Sequence, residues 1–279
     1  MGCRATETSK VAQFRLCHLK NFMSKNIRNR IAKKNIGIVI PAYNEETNIA
    51  RLIKKIKSKF KDSLIVIIDD SHHKKTWHLI RKKKLRVNYI YRGKKLGRGS
   101  AVIVGLKNLI KNKKIKVFVE MDADFSHAPV ELPRNINFFY KNSLDLLIGS
   151  RYLKKSKIIN WSLRRRIFSV LANYLARNLL KIPIYDFTNG YRIYSKRSVK
   201  KIIKNCGKIG GDFIVLSEIL VELYISNFKI REIESIFVDR KRGESSISLK
   251  LIFVSLFGLI KLYFNNRKEI NSAYRRKII

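Results

Sequence analysis

Acidic residues are scarce in this chain: 20 Asp and Glu stand against 61 Lys and Arg, a formal net charge of +41 over 279 residues. A balance this basic keeps an anionic partner in view, either nucleic acid or an acidic membrane surface. The basic residues run through every segment, helices and loops alike, and proteome-wide drift in composition produces the same pattern without a localised patch. Cysteine is as sparse. Cys3, Cys17 and Cys206 have neither metal-type nor redox-type spacing, which argues against a zinc site or a disulfide framework and fits a reducing cytoplasm. No long apolar run occurs: "LIFVSLFGLI", which begins after Lys250, is interrupted by Lys261, short of the roughly 20 residues needed to span a bilayer. That run reads either as a buried helix or as one lying in a membrane interface between cationic flanks. The first 35 residues lack a secretory apolar core. "MGCRAT" has the outline of a lipidation signal but carries little without a eukaryotic context, and Met23 is an alternative start.

What is present is a globular pattern, with 46% hydrophobic residues, enough for one substantial core. Val/Ile-rich runs at 36–41, 64–70, 87–92, 116–122 and 145–152 alternate with helical patterns at 45–60, 99–111 and 130–142. Continuous apolar runs without alternation predict strands covered on both faces, so the fold class is α/β with a mainly parallel sheet. Ligands of such sheets sit beyond the carboxyl ends of the strands. Further on, "LRRRIFSVLANYLARNLL" predicts an amphipathic helix: Leu163, Ile167, Val170, Leu171, Tyr174 and Leu175 keep helical spacing, and Arg165, Ser169 and Asn173 form a polar stripe. A second helix is expected over 212–227, before a strand at 230–238.

The run "KVFVEMDADFSHAP" brings Asp122 and Asp124 to the end of a strand. Alternation in an extended strand points both carboxylates to one side, where they can hold a hard divalent cation and leave positions open for phosphate oxygens. Asp69 and Asp70 close an earlier strand, where carboxylates suit a ribose or a base. In "KKLGRGSAVIVGL", Gly97, Gly99 and Gly105 suit either a close backbone approach to phosphate or a plain helix-start turn. Asp186 and Arg192 of "DFTNGYR" are expected to form a buried pair that braces its loop.

The motifs "IVIPAYNEETNI", "IIDDS", "GKKLGRGSAVIVGL", "EMDADFSHAP", "LIGSRY", "DFTNGYR" and "VDRKRGESS" stand in the order found in family 2 glycosyltransferases. The chain closely resembles the dolichol-phosphate or polyprenol-phosphate mannosyltransferase branch, from about Asn35 to Ser248. The resemblance implies a GT-A fold, a nucleotide-sugar donor such as GDP-mannose, and Mg²⁺ or Mn²⁺. It assigns Pro41, Ala42, Tyr43, Glu45 and Asp70 to the nucleoside, and Asp122 and Asp124 to metal and diphosphate, with Ser126, rather than His127, completing the metal environment; a lone histidine is more often structural, and His127 is read as a shaper of the loop. Arg151, Arg165, Ser169 and Arg240 match positions that grip the acceptor phosphate, and a guanidinium suits bidentate phosphate contact. Asp124, Arg151 and Arg240 are thereby the expected catalytic residues.

A polyprenyl monophosphate is already anionic near neutral pH, so it can attack the anomeric carbon without a strong general base; attack from the opposite face predicts a β-linked lipid phosphate mannose. The expected organisation is a basic, poorly ordered extension over 1–34, a catalytic domain over 35–248 and a C-terminal apolar and basic helix over 249–279, with the protein peripheral at the cytoplasmic face of a membrane. A small membrane partner subunit is compatible with this arrangement, and nucleic acid is not an expected partner. The chain departs from the family in "DDSHHKKT", where bases replace an expected acid, and at Ser246, where Lys is common. The first departure leaves a UDP-glucose or UDP-N-acetylglucosamine donor open. A non-catalytic basic protein binding RNA or a membrane surface is the reading of another class.

Overall fold

A computed structural model describes residues 35–239 and 249–278 of the chain. The expectations for residues 1–34, Arg240 and Ser246 lie outside the described residues. The elements are β1 (Ile36–Ala42), α1 (Ile49–Lys59), β2 (Leu64–Asp69), α2 (Lys75–Lys82), β3 (Asn88–Tyr91), α3 (Arg98–Leu109), β4 (Val117–Glu120), α4 (Leu132–Lys141), β5 (Leu146–Ser150) and β6 (Lys157–Ile159). They continue with α5 (Leu163–Leu180), β7 (Arg192–Ser195), α6 (Lys196–Asn205), α7 (Ile214–Ile225), β8 (Ile230–Glu234), β9 (Ile236–Val238) and α8 (Leu249–Ile278). Among the described residues the main sheet has the order β3-β2-β1-β4-β7-β5-β8, and β6 and β9 form a small parallel pair. It is the mostly parallel α/β sheet expected of a GT-A fold; β7 alone runs antiparallel, between β4 and β5.

Burial explains the apolar runs. Ile38, Val39 and Ile40 of β1 and Ile65 to Ile68 of β2 are wholly buried because helices cover both faces of the sheet. α1 turns Ile49, Leu52, Ile53 and Ile56 inward at helical spacing. α3 lies so close to β1 that a Cβ at Gly105 would come within 2.4 Å of Val39 Cγ1. α7 is buried along most of its length, as suits a helix that is apolar nearly all round.

Three differences from the sequence reading bear on the site. β4 stops at Glu120, so Asp122 and Asp124 stand in the following turn, where Phe125 takes a positive φ of 66°. Strand alternation therefore does not align these two carboxylates; the turn places them. α1 starts at Ile49, because the chain first turns through Asn44 at φ 56°. α5 is amphipathic as its spacing predicts, yet it buries Asn173, Ala176 and Leu180 and turns Arg165 and Ser169 toward the protein. Leu163, Ile167, Val170, Leu171 and Tyr174 are exposed instead. α8 buries Leu259, Leu262, Ile270 and Ala273 while Val254, Phe257, Ile260 and Phe264 face outward, so the run after Lys250 contributes to the core and also to the surface.

The tight seat of α3 on β1 makes Gly105→Ala a sharp probe. Overpacking there is expected to lower the unfolding free energy by about 1–3 kcal/mol in urea titration, and an unchanged midpoint would show that the helix can shift away freely.

Candidate active site

The carboxyl ends of β2, β1 and β4 stand side by side, and the loops leaving them make one rim. Ala42, the last residue of β1, and Glu45 beyond it are buried, and Tyr43 is partly exposed. The Asn44 amide donates to Ser71 Oγ at 2.8 Å, and Glu45 accepts from the Asn48 side-chain amide at 2.9 Å. Pro41, one residue before the end of β1, pairs with Ile68 of β2. Tyr43 meets the His72 ring edge-on at 6.3 Å and lies under Lys95 Nζ at 5.0 Å, so the departing "DDSHHKKT" loop contributes a histidine to the mouth beside Tyr43.

The two aspartates after β2 are both engaged. Asp69 accepts from Ser71 and from the Tyr89 hydroxyl. Asp70 takes Arg92 bidentately, at 2.5 and 2.6 Å, along with the Leu96 amide. Arg92 also reaches Gly97 O and Ser100 Oγ, which ties the entry of α3 to the rim.

In the turn after β4, Asp124 Oδ1 accepts from the Ser126 amide at 2.9 Å and from Ser126 Oγ at 2.6 Å. Ser126 thus braces Asp124. Asp122 takes Arg98 Nε at 2.8 Å and Nη2 at 2.7 Å, and Arg98 Nη1 reaches the fully buried Glu120 at 2.5 Å. Burial by itself would raise the Asp122 carboxyl; Arg98, through its charge and its hydrogen bonds, outweighs it and, with the charge of Arg151, holds the group below the usual carboxylate range. His127 is buried, its Nδ1 accepts from the Asp122 amide, and its Nε2 pairs with Asn189 Oδ1 at 2.8 Å. Those partners put the ring proton on Nε2 and make His127 the pin of the turn.

Arg151, at the end of β5, faces the same turn. Its backbone amide, Nε and Nη2 all donate to Asp186, and Nη2 also reaches Thr188 Oγ1. Tyr152, Trp161 and Phe237 surround the guanidinium at 5.3–5.6 Å. Burial would raise the Asp186 carboxyl, and Arg151 more than offsets it, leaving the group below its ordinary range. The expected Asp186–Arg192 pair is corrected here: Asp186 is bonded by Arg151, while Arg192 donates to the carbonyls of Asn189, Leu216 and Phe187. Arg192 still braces the loop, through its hydrogen bonds to these backbone carbonyls. On α5, Arg165 Nη1 takes both oxygens of Asp239 and its Cζ stacks over Trp161 at 4.4 Å. Tyr152 donates its hydroxyl to Ser169 Oγ at 2.6 Å.

Arg98, Glu120 and Trp161 escaped the sequence reading. Glu120 carried a usable signal, since a charge inside an apolar strand needs a partner. Trp161 Nε1 and Arg165 Nε are buried donors with no hydrogen-bond partner among the described residues, an arrangement that costs free energy until an acceptor arrives.

Removing the Asp186 charge isolates Arg151. Asp186→Asn is expected to cost about 3–5 kcal/mol of stability near neutral pH. Because the folded carboxyl titrates below its unfolded value, the wild-type advantage is complete above about pH 4 and is lost only as pH falls through the lower folded value. Urea titrations of both proteins at neutral and acid pH check this; a difference that persists at the lowest pH would contradict it.

Residues 37–203 match the family described as Glycosyl transferase family 2. A dolichol-phosphate mannosyltransferase of Pyrococcus furiosus is 36% identical, over 81% of this chain and 63% of its own length, so the chain spans less than two thirds of that relative. A polyprenol monophosphomannose synthase of Mycolicibacterium smegmatis is 31% identical, over 79% of this chain and 83% of its own. Among solved structures, glucosyl-3-phosphoglycerate synthase of Mycobacterium tuberculosis, in complex with Mn²⁺, UDP-glucose and phosphoglyceric acid, superposes with a TM-score of 0.63. That match covers 90% of this chain and 84% of the other at 16% identity, a likeness of fold. The chain belongs to glycosyl transferase family 2.

Proposed function

We propose that the protein transfers mannose from GDP-mannose to a polyprenyl phosphate at the cytoplasmic face of a membrane, with inversion at the anomeric carbon. The observation that carries this reading is the two-faced α5. One face turns Arg165 and Ser169 toward Arg151, and the other exposes Ile167, Val170, Leu171 and Tyr174. An acceptor with a phosphate head and an apolar tail has the same two chemistries. The names of the two relatives point to the same acceptor class.

The Asp122–Asp124 turn suits a divalent ion. Its donors are hard carboxylate oxygens, and no group of three or more metal-binding side chains occurs among the described residues, so diphosphate oxygens would have to complete the shell. Asp122 and Asp124 would hold Mg²⁺ or Mn²⁺, which as a Lewis acid supports the charge that develops on the departing diphosphate. Pro41, Ala42, Tyr43, Glu45 and Asp70 line the nucleoside side. Arg151, Arg165 and Ser169, together with Arg240, hold the acceptor phosphate, and the unpartnered N–H groups of Trp161 and Arg165 give that phosphate two further donors. A phosphate oxygen attacks C1; the C1–O bond breaks and its electron pair leaves with GDP. Arginine fixed by carboxylates and aromatic rings orients the nucleophile without taking its charge away, so no general base is required.

No helix among the described residues is long and apolar enough to cross a membrane. The exposed stripes of α5 and α8 fit an acidic lipid surface instead, because cationic Arg164, Arg166 and Lys261 stand among the apolar residues.

Transfer of radiolabelled mannose from GDP-mannose to polyprenyl phosphate tests the reaction, with UDP-glucose and UDP-N-acetylglucosamine in parallel. Labelled lipid from the wild type, reduced at least about 100-fold in Asp124→Ala, is expected with added Mg²⁺ or Mn²⁺ and lost with chelator; product from a UDP-sugar alone would reassign the donor. Ile167 and Tyr174 are 57% and 63% exposed. Replacing both with Glu should leave the fold unchanged and weaken co-sedimentation with anionic vesicles at least about tenfold; undiminished co-sedimentation would remove the lipid role from α5.

A further inference from the structure

Arg98 opens α3, yet its side chain points into the carboxylate turn. Asp122 takes the Nε and Nη2 edge of the guanidinium, Glu120 takes Nη1, and Gly190 O accepts from Nη2 at 3.3 Å. Glu120 is itself wholly buried, and its second oxygen accepts from the Tyr194 hydroxyl at 2.7 Å. The backbone makes room for this cation: a Cβ at Gly190 would fall 1.7 Å from Arg98 Nη2. A carboxylate at the end of a buried strand is costly without a partner. Glu120 therefore keeps Arg98 in the pocket whether or not a ligand is bound.

We propose that Arg98 is a resident cation of the donor pocket, a positioning residue that holds and neutralises Asp122, so that a divalent ion binds firmly only together with a nucleoside diphosphate. This inference rests on the assignment of Asp122 and Asp124 to the metal. A metal ion on one oxygen of Asp122 and a guanidinium on the other are like charges a few ångströms apart, and they repel strongly in a partly buried site. Glu120 compensates Arg98 only in part, because it binds a different edge and lies on the other side of the guanidinium from Asp122. A diphosphate adds both negative charge and oxygen ligands and overcomes the repulsion. Metal and donor then enter as a unit, and the site stays ordered before they arrive.

The electron paramagnetic resonance signal of free Mn²⁺, followed with and without GDP or UDP, reads the affinity directly. Wild-type protein is expected to bind Mn²⁺ weakly alone and at least about tenfold more tightly with the nucleoside diphosphate it recognises. Arg98→Leu combined with Glu120→Leu changes no net charge, yet should tighten Mn²⁺ binding without nucleotide at least about tenfold. Glu120→Gln should weaken it, since Arg98 then loses its compensating charge. Responses of opposite sign separate an electrostatic role from a purely structural one. Equal or weaker Mn²⁺ binding by a double variant that melts like the wild type would overturn the proposal. If the double variant does not fold, unchanged or tighter binding in Glu120→Gln would overturn it. Wild-type Mn²⁺ affinity in Asp124→Ala with nucleotide present would instead remove the metal assignment itself, an outcome distinct from either response at Arg98.

Discussion

The Arg151–Asp186 pair is the contact on which the site depends. Asp186 accepts three hydrogen bonds from Arg151, one through its backbone amide and two through its guanidinium, and a fourth from the Asn189 amide. One carboxylate thus fixes the end of β5 to the loop before β7, and β7 is the antiparallel strand that links β4 to β5. On one side of the pair, Asn189 holds His127, and His127 holds the turn that carries Asp122 and Asp124. On the other, Arg151 packs against Trp161, over which Arg165 of α5 also stacks. The groups proposed for the donor and those proposed for the acceptor are registered against each other through this buried ion pair.

A common electrostatic logic runs through the rim. Arg92 is matched by Asp70, Arg98 by Glu120 and Asp122, Arg151 by Asp186, and Arg165 by Asp239. In a chain with only 20 acidic residues, a concentration of them at the carboxyl edge of the sheet is a substantial commitment. Paired guanidinium groups keep fixed positions, and fixed cations can support a phosphate without rearranging when it arrives. In the proposed reading, the surplus of basic residues acts at longer range on an acidic membrane.

Much of this was legible in the sequence, and the parts that were not have physical reasons. The order of strands and helices followed from apolar runs, because β1, β2 and β4 are covered on both faces and need no polar alternation. The residues proposed for the donor stand in short contiguous stretches at the ends of those strands, which is why they could be singled out together. Arg98 and Glu120 are 22 positions apart in the chain, and they meet because the sheet order places the start of α3 beside the end of β4. Asp186 was matched with Arg192 on proximity in sequence, although tertiary structure supplies Arg151 instead. For α5 the periodicity was readable but its orientation was not: a helix that buries its polar stripe against charged partners has the same spacing as one that buries its apolar stripe.

The proposed reaction makes the acceptor phosphate the attacking group, held by arginines opposite a departing diphosphate. The measurement that tests this most directly is the anomeric configuration of the mannosyl lipid, read from the one-bond carbon–proton coupling at C1 by nuclear magnetic resonance. A β-linked mannosyl phosphate is the predicted result. An α-linked product, or release of free mannose without lipid product, would contradict direct attack by the bound phosphate.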